Sequence, residues 1–144
     1  MKKIEHLGIA VSNIEKSNTL YTKLLGVEPY KTETVAGEGV KTSFFRVGES
    51  KIELLEATNA DSPIHKFIQK RGEGIHHIAF DVADIEMETR RLVAEGFVVL
   101  NEVPKQGADN KKVVFLHPKS TNGVLVELCQ ETEAPKSPGN TGEK

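Results

Sequence analysis

Ile4-Glu5-His6-Leu7-Gly8-Ile9-Ala10-Val11-Ser12-Asn13-Ile14-Glu15 and Ile75-His76-His77-Ile78-Ala79-Phe80-Asp81-Val82-Ala83-Asp84-Ile85-Glu86 are one motif written twice, at an offset of 77 − 6 = 71 residues. Each copy alternates apolar and small residues like a strand, then turns polar at a helix start. The ends of the copies match as well. Lys51-Ile52-Glu53-Leu54-Leu55 corresponds to Leu125-Val126-Glu127-Leu128-Cys129, at an offset of 127 − 53 = 74. The three additional residues fit a longer loop in the second copy, within 105–112, where Gln106-Gly107-Ala108-Asp109-Asn110 is rich in turn formers.

Working outward from the motif, each half reads as strand, helix and three strands. This predicts an α+β protein of two βαβββ modules. In the first module, at about 3–57, a strand over 4–11 precedes a helix capped by Ser12 or Asn13 and stopped by Gly26. Ile14, Leu20, Tyr21, Leu24 and Leu25 are the expected apolar stripe of that helix. Strands near 28–34, 40–47 and 50–56 follow, the last two joined by a turn at Gly48-Glu49. In the second module, at about 74–130, a strand over 75–82 leads to a helix at 84–95, with Ile85, Thr89, Leu92 and Val93 inward. Strands are predicted near 98–103, 112–117 and 123–129. Ser62-Pro63 starts a linking helix over 62–72, with Ile64, Phe67 and Ile68 on its apolar side. We expect a single domain over 1–131 and a disordered tail over 132–144, which is polar and holds Pro135, Pro138, Gly139 and Gly142.

Composition narrows the function. The 144 residues are 38% hydrophobic and 28% charged, with a formal net charge of −2, the balance of an ordinary folded domain. Nucleic-acid binders usually carry a basic excess, so no nucleic-acid partner is expected. No apolar run approaches the length of a membrane span, and Lys2 and Lys3 precede no apolar signal-peptide segment. One cysteine, Cys129, excludes an internal disulfide, suits a reducing cytoplasm and reads as a packed thiol. The expected setting is cytoplasmic.

Strand parity selects the candidate chemistry. His6 shares its face with Gly8 and Ala10, while Leu7, Ile9 and Val11 face the helix. His77 likewise shares a face with Ala79, and its neighbour His76 has the parity of Ile78 and Phe80. Glu53 and Glu127 each point away from their helix-facing neighbours. Each half thus offers one histidine from its first strand and one glutamate from its last, on one concave face. Two carboxylates buried together are costly and repel each other. A divalent cation removes both costs, so His6, Glu53, His77 and Glu127 are the expected metal ligands. Two imidazoles and two carboxylates suit Co²⁺, Mn²⁺, Ni²⁺, Fe²⁺, Mg²⁺ or Zn²⁺.

The duplicated pattern with these four residues resembles the vicinal oxygen chelate (glyoxalase-like) superfamily. Within it, three stretches are similar to the methylmalonyl-CoA epimerase family: 5–11, 71–79 and 117–129. The resemblance covers about residues 3 to 130. It implies interconversion of (R)- and (S)-methylmalonyl-CoA through a metal-stabilised enolate, one divalent ion per chain such as cobalt, an acyl-CoA partner and a homodimer. Glu53 and Glu127 are then the candidate proton-transfer groups, with Glu127 preferred. Some family members carry an extra acid where this chain has Thr42, which cannot act as a base. Lys105, Lys111, Lys112 and Lys119 are candidates for CoA phosphates, and Lys112, Lys119 and Ser120 are taken as substrate contacts. A glyoxalase I-like lactoylglutathione lyase uses the same ligand types and is the alternative enzyme. A metal-free binding protein of this fold is a further alternative, though it would not need four ligand-competent residues. An extradiol dioxygenase would use two histidines and one carboxylate on iron.

Overall fold

The computed structural model of the chain describes residues 1–132. β1 (Lys3–Ala10) leads to α1 (Ile14–Leu25), β2 (Lys31–Val35), β3 (Val40–Val47) and β4 (Ser50–Ala57). The linking helix α2 (Pro63–Arg71) carries the chain to β5 (Gly74–Asp81), α3 (Ile85–Ala94), β6 (Lys105–Gln106), β7 (Lys111–Leu116) and β8 (Val126–Glu131). All eight strands form one sheet in the order β2-β3-β4-β1-β5-β8-β7-β6. Each half pairs its first strand parallel to its last, β1 on β4 and β5 on β8, and the two first strands meet antiparallel at the centre. The α+β class and the doubled βαβββ arrangement read from the sequence are borne out. The tail over 133–144 lies outside the described residues.

The helix starts are duplicated along with the strands. Asn13 Oδ1 accepts from the Lys16 amide at 3.0 Å, and Asp84 Oδ1 accepts from the Met87 amide at 3.1 Å. Of the two residues considered as the first cap, it is Asn13 that serves. Gly26 ends α1 in the left-handed conformation, at φ 76°.

The helix-side core has one cluster per half. Ile14 of α1 packs with Val11, Phe45 and Leu54, and Ile85 and Leu92 of α3 pack with Val82, Val114 and Leu128. Three stripe assignments are corrected. Leu20 and Leu24 are 60% and 68% exposed, and Val93 is 49% exposed. At about 100° per residue, Tyr21 and Leu25 return to within about 20° of Ile14, whereas Leu20 and Leu24 lie about 80–120° away. Val93 is displaced from Ile85 by about 80° on the same count.

The strand predicted near 98–103 does not form. Only Val99 bridges to Leu116, and the ladder resumes at β6. The Asn101 side chain takes over the free edge of β7: its amide nitrogen donates to the Val113 carbonyl at 3.1 Å and its oxygen accepts from the Phe115 amide at 3.0 Å. A side chain that mimics a peptide group removes the need for a paired strand there.

Candidate metal centre

Register across the centre of the sheet assembles the site. Gly8 on β1 stands opposite Glu53 on one side and His77 on the other, and Ala79 on β5 stands between His6 and Glu127. Two rows therefore cross the middle strands, each with a small residue at its centre and a ligand type at each end. Gly8 has to be small: a Cβ there would lie 2.2 Å from His77 Cε1. The His77 ring occupies the space that any side chain at position 8 would fill.

The two imidazoles meet through Nε2, at 3.0 Å. Glu127 Oε1 is 3.1 Å from His77 Nε2 and 3.6 Å from His6 Nε2. All three residues are buried. Adjacent ligands of an octahedral ion with bonds of about 2.1 Å lie about 3.0 Å apart, so this donor set fits a divalent cation in charge, chemistry and spacing. Glu53 is buried beside the group, with Oε2 3.1 Å from His6 Nδ1 rather than at the Nε2 meeting point. A second buried group, Glu5, His6 and Cys129, also has converging donor atoms. Burial and nearby carboxylates push the Cys129 thiol well above its usual range, which keeps it protonated and a poor ligand. This agrees with reading Cys129 as a packed thiol.

Two bulges shape the centre. Between Ile4 and His6 the pairing with β5 slips by one residue, and it slips again between Gly8 and Ile9. The first bulge turns Glu5 inward to His6 Nδ1, at 2.6 Å. The second does the same for His76, whose Nδ1 is 3.0 Å from His77 Nδ1. The placement of His76 on the helix side of the sheet is corrected accordingly. Its ring sits edge-on to Phe67 of α2, with centroids 5.0 Å apart, and lines the central cavity. Strict alternation cannot anticipate an extra residue in a strand. The signal that was there to read is that 5 + 71 = 76, so both polar neighbours of the histidines recur in register.

The electrostatics follow from this crowding. Burial opposes charge on His6, but Glu53, Glu127 and Glu5 outweigh it and raise the imidazole to about 10. Burial, with the charges of Glu127 and Glu5, lifts Glu53 to about 7 against the opposing pull of His6. Glu127 is also buried, yet hydrogen bonds from His6 and His77 hold it well below the usual carboxylate range. Burial and the neighbouring His77 lower His76 to about 4. Glu5 drops to about 2, since His6 and Lys51 overcome its burial.

His6, Glu53, His76, His77 and Glu127, but not Glu5, line a cavity of about 270 Å³ whose walls include Val35, Leu55, Ile64, Leu100, Phe115 and Leu125. Thr42 and Lys105 line it as well. Lys112, Lys119 and Ser120 do not. Lys112 alternates with the cavity-lining Val113, and Lys119 and Ser120 sit in the turn over Pro118–Thr121, where Ser120 Oγ donates to the His117 carbonyl. Lys111 turns to Glu5, at 3.6 Å.

The model for the glyoxalase/bleomycin resistance protein/dioxygenase superfamily matches residues 5–115. The mitochondrial methylmalonyl-CoA epimerase of Dictyostelium discoideum is 42% identical over 127 residues, covering 88% of this chain and 76% of its own. A Streptomyces coelicolor methylmalonyl-CoA epimerase, solved in complex with 2-nitronate-propionyl-CoA, superposes with a TM-score of 0.89 at 33% identity, covering 95% of this chain and 99% of its own. A methylmalonyl-CoA epimerase in complex with methylmalonyl-CoA and NH4+ superposes with a TM-score of 0.88 at 34% identity, over 94% and 99%. Doubled fold, paired histidines and relatives agree: the chain belongs to the methylmalonyl-CoA epimerase family of the glyoxalase superfamily.

Proposed function

We propose that this chain interconverts the (R) and (S) epimers of methylmalonyl-CoA, with a divalent cation held by His6, His77 and Glu127 and joined by Glu53. The observation that supports this most is the buried convergence of two imidazole Nε2 atoms and one carboxylate in a largely apolar cavity. The substrate carries a thioester carbonyl and a carboxylate on the carbon whose proton must leave. A cation at this site supplies Lewis-acid polarisation of those oxygens, worth several kcal/mol. Cobalt is the ion the family resemblance implies, with Mn²⁺, Ni²⁺, Zn²⁺ and Mg²⁺ as alternatives.

The chain's own groups handle the proton. Epimerisation removes it from one face of the carbon and returns one to the other. Glu53 and Glu127 come from opposite halves and stand on opposite sides of the His6 ring, near Nδ1 and Nε2 respectively. Their places relative to the Nε2 meeting point differ. Glu127 Oε1 sits against both Nε2 atoms, whereas Glu53 lies off that meeting point, beside His6 Nδ1, and is the freer of the two carboxylates to take a proton. We therefore place the main proton transfer on Glu53 and give Glu127 the ligand role first, the reverse of the order suggested by sequence. Much of the cavity wall is apolar, and Lys105 in that wall is a cation available to the CoA portion. We further propose that residues 1–131 form one domain and that the chain pairs as a homodimer.

The test is solvent-deuterium incorporation into each epimer of methylmalonyl-CoA, with a glutathione hemithioacetal assayed in parallel. Glu53→Gln should slow exchange by about 10²–10⁴-fold. Glu127→Gln should lose both metal and exchange. Full activity in both variants refutes the assignment.

A further inference from the structure

We propose that Glu5 is a positioning residue, whose carboxylate decides which nitrogen of His6 faces the metal site. The inference rests on the metal reading above.

Glu5 is the extra residue of the β1 bulge, and its side chain is buried at 4% exposure in the middle of the sheet. Oε1 lies 2.6 Å from His6 Nδ1. Oε2 is anchored from behind by Lys51 Nζ at 2.8 Å and Lys111 Nζ at 3.6 Å, and Lys51 is itself fixed by Asp109 at 2.9 Å. A buried carboxylate with two lysines is a costly way to fill a strand interior, which an apolar side chain would fill more cheaply. What the carboxylate adds is direction. A neutral imidazole has one N–H; with Nδ1–H donated to Glu5, the lone pair is left on Nε2. Nε2 is the atom that meets His77 Nε2 and Glu127. Glu53 also approaches His6 Nδ1, at 3.1 Å, but Glu5 is nearer and is held in place by the lysines.

The second half repeats the device with a different group. His76, at the matching bulge, backs His77 Nδ1 at 3.0 Å. A charged acceptor holds its donor more firmly than a neutral one. The two histidines are therefore backed unequally, and His6 is the better fixed.

The experiment measures Zn²⁺ affinity by chelator competition, with the His6 ring followed by ¹⁵N NMR in the zinc-loaded chain. For Glu5→Leu we expect affinity to fall about 10–100-fold, and for Glu5→Gln, whose amide oxygen still accepts, by less. The strongly hydrogen-bonded His6 Nδ1–H resonance of the wild type should shift in Glu5→Gln and be lost to exchange in Glu5→Leu. Lys51→Met should weaken zinc binding in the same direction, and with Glu5→Gln it carries the test if Glu5→Leu does not fold. Wild-type affinity and an unchanged Nδ1–H signal in the variants overturn this inference alone. A wild type that binds no cation removes the metal reading, and this inference with it.

Discussion

Gly8→Ala tests whether the site depends on the bare backbone of β1. The added Cβ would lie 2.2 Å from His77 Cε1, 2.6 Å from Nδ1 and 2.8 Å from Nε2. An ordinary carbon–carbon contact is about 3.5 Å, so the ring must retreat by about 1 Å or rotate. The atom that retreats is a side-chain tip at the edge of a cavity, so the fold can absorb it. Overpacking of this size costs about 1–3 kcal/mol. The site cannot absorb it as easily: His77 Nε2 would leave its place 3.0 Å from His6 and 3.1 Å from Glu127. A misplacement of about 1 Å costs on the order of 10²-fold in rate. The expected result is a folded protein with a modestly lowered Tm, a metal affinity reduced at least tenfold and epimerisation reduced about a hundredfold. Thermal melts, chelator competition and deuterium exchange measure the three. Wild-type metal affinity with full activity would refute the reasoning, because it would mean that His77 need not stand where it does.

Other outcomes follow from particular residues. Asn101→Ala leaves the Phe115 amide and Val113 carbonyl without their partner, and should destabilise the chain by about 1–3 kcal/mol in urea unfolding; no change would mean that water replaces the side chain. Without metal, His6 is raised from 6.5 to about 10, so the stability contributed by its imidazolium is complete below 6.5 and is lost as pH rises through about 10. Since a cation must displace that proton, metal binding at pH 8 should release about one proton in calorimetry run in several buffers; zero release contradicts the shift. Cys129, buried with its thiol pushed up, should resist thiol reagents in the native state and react once unfolded.

From the sequence alone, the doubling could be read and, with it, the topology. Pairs such as His6 and His77, Glu53 and Glu127, or Asn13 and Asp84 recur at near-constant offsets, and a period of two assigns each strand residue to a face. Those are local rules, and they suffice to put His6, His77 and Glu127 on one face of one sheet. The rest depends on what lies across the chain. Tyr21 rather than Leu20 shares the face of Ile14 by helical period alone, but whether 98–103 pairs is set by an asparagine that satisfies the edge first. The two bulges flank the unbroken pairing of His6–Gly8 with His77–Ala79 and turn Glu5 and His76 inward at its two ends. The unequal basicity of Glu53 and Glu127 is likewise tertiary. Both glutamates are buried, but one has a single imidazole opposed by two carboxylates and the other has hydrogen bonds from two imidazoles, and only packing decides which neighbours a charge will have.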